Sequence, residues 1–374
     1  MTTKRINTAV WLEKYSRWQL KVQKDGERKT FTCSTPGRKG QIECNRKADK
    51  WLEGSAIRPM RVDELYDSWI AELKLTTSTS HWTTYESVGR LYIKPGIGAR
   101  KVETVTEQHL QNVILKNFQS GKNGNPLSHK YLKRIRDCMS AFMKYARKCG
   151  QTNLRPENLY VPKGAPRGER TILQPESIEK LFSSTQTFCN RQVKDDIFVH
   201  AYRFAVATGL RPGELLELST ENIGENSVQV RGSLNKYGEH TDGKNKNAVR
   251  DFALNDITRT IILDQKRLRM KHGLRCKYFF CNATDDQATQ EQYGNAWTRF
   301  RNYNHLENVT PYELRHTFVS LVQTLPDGTI KPFVGHSRNF DTRGVYAHDV
   351  GGEKEAAAFL IGETLKKFIK TKAG

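Results

Sequence analysis

From Thr310 to Tyr346 the chain reads Thr-Pro-Tyr-Glu-Leu-Arg-His-Thr-Phe, a spacer, Val-Gly-His-Ser, a second spacer, then Thr-Arg-Gly-Val-Tyr. The opening has the residues of a helix start. Thr310 is a candidate N-cap, Pro311 suits the first helical position, and Glu313 falls three residues after the Thr, where a capping box needs it. Arg315 then lies near the helix N-terminus, one turn beyond Tyr312 and on the same face. Unpaired backbone N–H groups, the positive end of the helix dipole and a guanidinium fork together make a phosphate site. Gly335-His336-Ser337 adds an imidazole donor on a tight turn, and Tyr346 supplies a hydroxyl, a candidate nucleophile, about a helix-length further on.

A second corner precedes this one. Thr208-Gly209-Leu210-Arg211-Pro212-Gly213-Glu214 ends one helix at Gly209, a good C′ residue, and starts another at Pro212, leaving Arg211 at the corner with Glu214 one turn on. Taken alone, an Arg at such a corner is more often an exposed cap than a ligand. Strands are expected around Val228 to Arg231 and Val249 to Leu254, joined by a polar loop, Asn235 to Asn247, that carries Lys236, Lys244 and Lys246. Helices are expected at Pro175 to Phe182, Asp195 to Thr208, Asp256 to Met270 and Asn295 to Arg301.

The 374 residues suffice for two or three domains, each with its own core. Lys plus Arg is 61 against 40 Asp plus Glu, a net charge of +21, which points first to a polyanion, above all nucleic acid. No apolar run approaches the roughly 20 residues needed to span a bilayer and no signal-peptide pattern opens the chain, so no membrane association is expected and the compartment is the cytoplasm. The seven cysteines are odd in number, scattered and free of zinc-site spacing; they are expected as reduced, mostly buried thiols, with no structural metal.

Residues 1–57 form a small basic domain, with 13 Lys/Arg against six Asp/Glu in residues 1–56. Trp18, Leu20 and Val22 alternate with polar residues, Asp25-Gly26 gives a hairpin turn, and Arg28 to Cys33 is the return strand. A third strand near Gln41-Ile42 and a helix from Arg46 to Leu52 are expected after the Pro36-Gly37 turn. Surplus positive charge on so small a domain favours a DNA-binding module over a merely solvated sheet. Residues 60–152 are helical: Val62, Leu65, Trp69, Ile70 and Leu73 recur at helical spacing, as do Leu132, Ile135, Met139, Phe142, Met143 and Ala146, and a further helix runs from Thr106 to Asn117. Prolines and glycines at Pro156, Pro162, Gly164, Pro166 and Gly168 mark 153–170 as a linker, and the last domain is 171–374, with a C-terminal helix over 353–370.

In order, the chain has an Arg in a Gly-Leu-Arg-x-Gly-Glu corner, a Lys on a hairpin, a Leu-Arg-His-Thr-Phe helix start, Gly-His-Ser and then Tyr. This constellation, spread over more than a hundred residues, resembles the tyrosine recombinase (phage integrase) family, in particular the integrases of conjugative transposons. The resemblance implies a multidomain, mainly α fold. A small N-terminal domain of three strands and a helix would bind arm sites, a helical domain would clamp the core site, and a mostly helical α+β domain would do the chemistry. It implies Arg211 and Arg315 on the scissile phosphate, His336 as a further donor, Tyr346 as nucleophile, Lys244 (with Lys246 as fallback) as the hairpin lysine, and Glu214 as support for Arg211. The family's usual motif has His where this sequence has Tyr312, which leaves the proton acceptor for Tyr346 open.

Two guanidiniums and an imidazole would stabilise charge on the phosphate oxygens as a metal ion does elsewhere, so neither cofactor nor metal is expected. The implied function is site-specific recombination of a mobile element through a covalent 3′-phosphotyrosine, by a homotetramer on two double-stranded DNA sites, with an excisionase or a host DNA-bending protein as accessory partner. The chain would be nucleoid-associated when bound. A type IB topoisomerase-like enzyme and a non-catalytic DNA-binding regulator on the same fold are the alternatives. The resemblance also implies a C-terminal helix docked on a neighbouring protomer; folding back on its own domain is the competing outcome.

Overall fold

Alternation along Arg17–Lys24 builds the N-terminal sheet: Leu20 and Val22 are buried on one side, with Trp18 packed against them. In this computed structural model, which describes residues 5–24, 26–53, 58–121, 124–242, 249–335 and 352–369, that strand (β2) is central. It pairs antiparallel with β1 (Val10–Leu12) on one edge and β3 (Glu27–Cys33) on the other. The expected strand at Gln41-Ile42 is instead part of α1 (Gly37–Glu53), and the third strand lies at the start of the chain. Cys44, Ala48 and Leu52, four residues apart, form the buried stripe that sets α1 on the sheet, a helical period stronger than the local Gln-Ile signal.

The helical segment has α2 (Val62–Thr76), α3 (Thr79–Val88), a π-helical stretch at Gly89–Ile93, α4 (Lys94–Ile97), α5 (Glu107–Gln119) and α6 (His129–Lys148). Gly89 lets the widened turn approach α2: a Cβ there would lie 2.2 Å from the Tyr66 ring. Tyr66, Trp69 and Phe142 meet in the core, with ring centroids 5.0–5.7 Å apart. The Pro- and Gly-rich segment beyond α6 lies along these helices. Leu159 and Ala165 join the core, Tyr160 exchanges two hydrogen bonds with Gln111, and the His129 N–H donates to Pro166 O. By its contacts the chain divides between Arg167 and Gly168.

The second unit, Gly168–Gly374, contains α7 (Pro175–Ser183) and a hairpin, β4 (Gln186–Cys189) with β5 (Gln192–Asp195). Then come α8 (Val199–Thr208), α9 (Pro212–Glu217), β6 (Ser227–Val230), β7 (Ser233–Leu234), β8 (His240–Thr241) and β9 (Arg250–Ala253). The helices α10 (Asp256–Lys271), α11 (Gln290–Tyr303), α12 (Pro311–Leu321), α13 (Asp327–Val334) and α14 (Glu353–Lys366) complete it. Every residue of α8 is buried, so it is the spine of this unit, and α10 and α12 pack along it. Strand β9 pairs with β6, Val228 opposite Phe252 and Val230 opposite Arg250. Ala358, Ile361 and Leu365 of α14 and Ile369 beyond it are buried in the core of the same unit, against β9 and α10. Within this single chain the helix packs in cis, on its own domain. Among the described residues, no helix is long and apolar enough to cross a membrane.

Candidate active site

The site is assembled from helix ends. Helix α8 closes at Gly209 with φ +67°, and a Cβ at that position would stand 2.4 Å from the Phe318 ring on α12, so glycine both turns the chain and admits the neighbouring helix. Two residues on, Arg211 is the extended N-cap of α9 and Pro212 its first helical residue. Glu214 reaches back to this corner. Its Oε2 accepts the Arg211 backbone N–H at 3.0 Å, and its Oε1 accepts Arg211 Nη1 at 2.7 Å. Arg211 keeps 29% of its side chain exposed while Glu214 keeps 3%.

A third arginine closes the cluster, one that sequence reasoning placed only as a strand residue after the hairpin lysine. Arg250 on β9 donates Nη2 to Glu214 Oε2 at 2.8 Å and Nη1 to Glu214 Oε1 at 3.3 Å, and its Nε donates to Phe333 O at 2.9 Å. Its position carries a signal. Val228 and Val230 are buried, and Arg250 sits opposite Val230 and two residues before buried Phe252, so the strand's period of two turns a charged side chain inward.

Arg315 is the most buried of the three, at 2% exposure. Its Nη1 donates to Gly209 O at 2.8 Å and its Nη2 to Val334 O at 2.6 Å. Carbonyls at the C-terminal ends of α8 and α13 thus receive guanidinium donors, which satisfies acceptors that helices leave unpaired and places positive charge at the negative end of each dipole. At the start of α12 the expected capping box is present, with Glu313 Oε2 accepting the Thr310 N–H at 2.6 Å.

The electrostatics follow from three cations gathered about one anion. Burial alone would push the Glu214 carboxyl up, but the hydrogen bonds and charge of Arg250, then Arg211, outweigh it and hold it below the ordinary carboxylate range. Burial, then the charge of Arg211, pushes Arg315 down to about 10, still protonated at neutral pH. The cluster therefore carries excess positive charge in a largely dry setting, where an anion is held strongly.

Tyr312 and Arg315 are neighbours on α12, about 60° of arc apart, but on a helix half sunk in the domain Tyr312 is 47% exposed while Arg315 is buried beneath it. The Tyr312 ring packs edge-on to His316, with centroids 5.3 Å apart. Burial lowers the His316 pKa, and the charge of Arg170 adds to this. Lys244, Lys246, His336 and Tyr346 lie outside the described residues. Gly335, immediately before His336, ends α13 with φ +63°.

One group of metal-ligand type occurs among the described residues, Cys276, Cys281 and Asp285. Two of its three residues are already engaged. Asp285 Oδ1 accepts the N–H groups of Arg275 and Cys276, and Arg269 Nη1 lies 3.4 Å from Cys281 Sγ, so a dication would meet a guanidinium.

Residues 171–351 match the phage integrase family, and residues 62–117 match its N-terminal SAM-like domain. Solved structures share the fold. The Tn1549 transposon integrase in complex with a circular intermediate DNA is 18% identical, with a TM-score of 0.64 over 79% of this chain and 98% of that one. The same integrase with transposon right end DNA is 19% identical, with a TM-score of 0.63 over 79% and 98%. A lambda integrase tetramer bound to a Holliday junction is 15% identical, with a TM-score of 0.58 over 91% and 98%. No match was found among curated protein sequences. The arginine corner, Arg250 and the capped start of α12 all fall inside the longer of two matched segments that together span more than half the sequence, and on that basis the chain belongs to the phage integrase family, the tyrosine recombinases.

Proposed function

We propose that this protein is the integrase of a mobile element, a site-specific recombinase that cleaves and rejoins DNA through a 3′-phosphotyrosyl intermediate. The observation that carries the reading is the cluster of Arg211, Arg250 and Arg315 about the single carboxylate Glu214, cationic and mostly desolvated, inside the segment that matches the family. In the reaction the Tyr346 hydroxyl attacks the scissile phosphorus, the bond to the 5′ oxygen breaks, and Lys244, with Lys246 as the alternative, delivers a proton to that oxygen. Arg211, Arg315 and His336 stabilise the charge that grows on the non-bridging oxygens. Tyr312 takes the position of the family's usual His and donates a hydrogen bond or orients water. Bond energy stays in the phosphotyrosyl link, so the strands rejoin to a new partner without a nucleotide cofactor and without a metal.

In this reading the basic domain of residues 1–57 binds arm sites, the helices of 60–152 grip the core site, and residues 171–374 do the chemistry. Four copies act on two DNA sites in the cytoplasm, at the nucleoid, with an excisionase or a host DNA-bending protein to set direction. Among the structurally similar proteins are the Tn1549 transposon integrase in complex with a circular intermediate DNA and a lambda integrase tetramer bound to a Holliday junction, which supports that assembly.

The test is a duplex from the DNA flanking the gene, nicked close to the cleavage point so that the short strand is lost after attack. Wild type is expected to leave a protein–DNA adduct on a denaturing gel, in EDTA as in Mg²⁺, and Tyr346→Phe to bind equally but leave none. An equal adduct yield from the Phe variant, or strict dependence on Mg²⁺ for cleavage, would refute the proposal.

A further inference from the structure

We infer that Arg250 is a positioning residue for the cleavage step, a role that rests on the recombinase reading above. Its guanidinium joins two elements at the site, α9, which carries Glu214, and α13, whose last carbonyl accepts Arg315. One edge grips both oxygens of Glu214, and each of those oxygens also binds Arg211, Oε1 through Arg211 Nη1 and Oε2 through the Arg211 backbone N–H. The third nitrogen, Nε, holds Phe333 O in the last turn of α13, next to the Val334 carbonyl that accepts Arg315. Arg250 is thus the one described side chain that bonds both to the support of the first phosphate arginine and to the helix end anchored by the second.

Arg211 needs that support. With 29% of its side chain exposed it is not fixed by packing, and among the described residues Glu214 is the one carboxylate paired with it. Without Arg250 the Glu214 carboxylate keeps only its bonds to Arg211 among the described residues, so it shifts with that side chain instead of fixing it, and the Arg211 fork loses its aim even though its charge remains. A bidentate fork with a third donor on another edge of the same plane is geometry that only arginine supplies. Lysine offers one ammonium and can hold the carboxylate or the carbonyl, but not both. The role also accounts for the burial of an ion pair, Arg250 at 8% and Glu214 at 3% side-chain exposure, where packed apolar residues would serve stability as well.

The test uses the full chain, the nicked substrate described above, single-turnover cleavage rates, DNA dissociation constants and thermal melts. Arg250→Lys is expected to cleave on the order of 10- to 100-fold more slowly, the scale of a catalytic group displaced by about 1 Å. Its dissociation constant should stay within about threefold, because phosphate contacts elsewhere supply most of the affinity. The second arm is the cycle of Arg250→Met, Glu214→Gln and the double variant, in which the carboxylate is never left buried without a partner. If Arg250 acts through Glu214, the double variant cleaves no more slowly than the slower single one, a coupling that a merely structural residue would not show. The third arm is the pH profile. Glu214 is faced by Arg211 from α9, Arg250 from β9 and Arg315 from α12, so Arg250→Met should raise its pKa and move the acid limb of cleavage to higher pH, and the double variant should lack that limb.

Arg250→Lys cleaving within about twofold of wild type would overturn the inference. So would single effects that multiply, or a rate loss that only follows the unfolded fraction. Absence of any wild-type adduct would overturn the recombinase reading itself, and this role with it.

Discussion

Replacing Arg315 with lysine keeps the charge and removes the fork, which separates what the guanidinium does as geometry from what it does as a cation. In the structure its two terminal nitrogens hold carbonyls on different elements, Gly209 O at 2.8 Å and Val334 O at 2.6 Å, from a site only 2% exposed. A single ammonium can keep one of them. The variant therefore loses at least one charge-assisted hydrogen bond and leaves a buried carbonyl unpaired, at a cost of about 1.5–3 kcal/mol. For a domain of this size each kcal/mol lowers Tm by roughly 2–4 °C, so the melt should move down by about 3–12 °C. Cleavage should fall by about 10²–10³-fold, the range seen when one oxyanion donor is removed, while DNA affinity changes little because the charge is kept. Circular dichroism melts and single-turnover cleavage measure the two parts independently. An unchanged Tm would contradict the carbonyl bridge, and unchanged cleavage would contradict the role of Arg315 at the phosphate.

Tyr312→Phe should lose a modest part of the single-turnover cleavage rate and Tyr312→His should retain activity; a Phe variant equal to wild type would show that the exposed ring is only packed against His316. Two buried groups make a prediction about pH and stability. Burial raises Asp196 to about 6 and lowers His200 to about 4, so between those pH values both are neutral in the folded chain and both are charged in the unfolded one. The folded and unfolded states then bind equal numbers of protons through this pair, and its contribution is flat with pH. Asp196→Asn should unmask His200, whose depressed pKa costs stability as pH falls from about 6.5 towards 4, by up to about 3 kcal/mol. His200→Gln should unmask Asp196, whose raised pKa adds stability as pH falls through about 6, by a similar amount. Tm–pH profiles of opposite slope are expected from these variants, and parallel profiles would refute the assignment.

The parts of the fold written in local signals could be read directly. Thr310-Pro311 and Arg211-Pro212 announce helix starts, Gly209 announces a helix end, and the apolar stripe from Leu132 to Ala146 gives α6. Long-range contacts were not legible. Nothing near Arg250 in sequence says that Glu214 waits across the domain, and the inward turn of its strand shows only once β9 is paired with β6. The depth of Arg315 was not legible for a related reason. Helical spacing gives angles around one helix, whereas burial depends on which neighbours cover it, here the ends of α8 and α13. The β4–β5 hairpin escaped because its cross-strand pair, Phe188 and Val193, is about half exposed, and its turn puts Asn190 and Arg191 at positive φ without the glycine that marks such turns. The α1 helix was read in part as a strand because Pro36-Gly37 suggested a turn between strands when it in fact begins the helix.

The central claim, attack on DNA by Tyr346, is tested most directly by locating the covalent bond. Wild-type protein trapped on the nicked substrate would be digested with trypsin and nuclease, and the peptide bearing residual phosphonucleotide identified by mass spectrometry. The account predicts the added mass on the tryptic peptide 344–354, at Tyr346. Attachment on the peptide that carries Tyr312, or on any residue other than Tyr346, would contradict it.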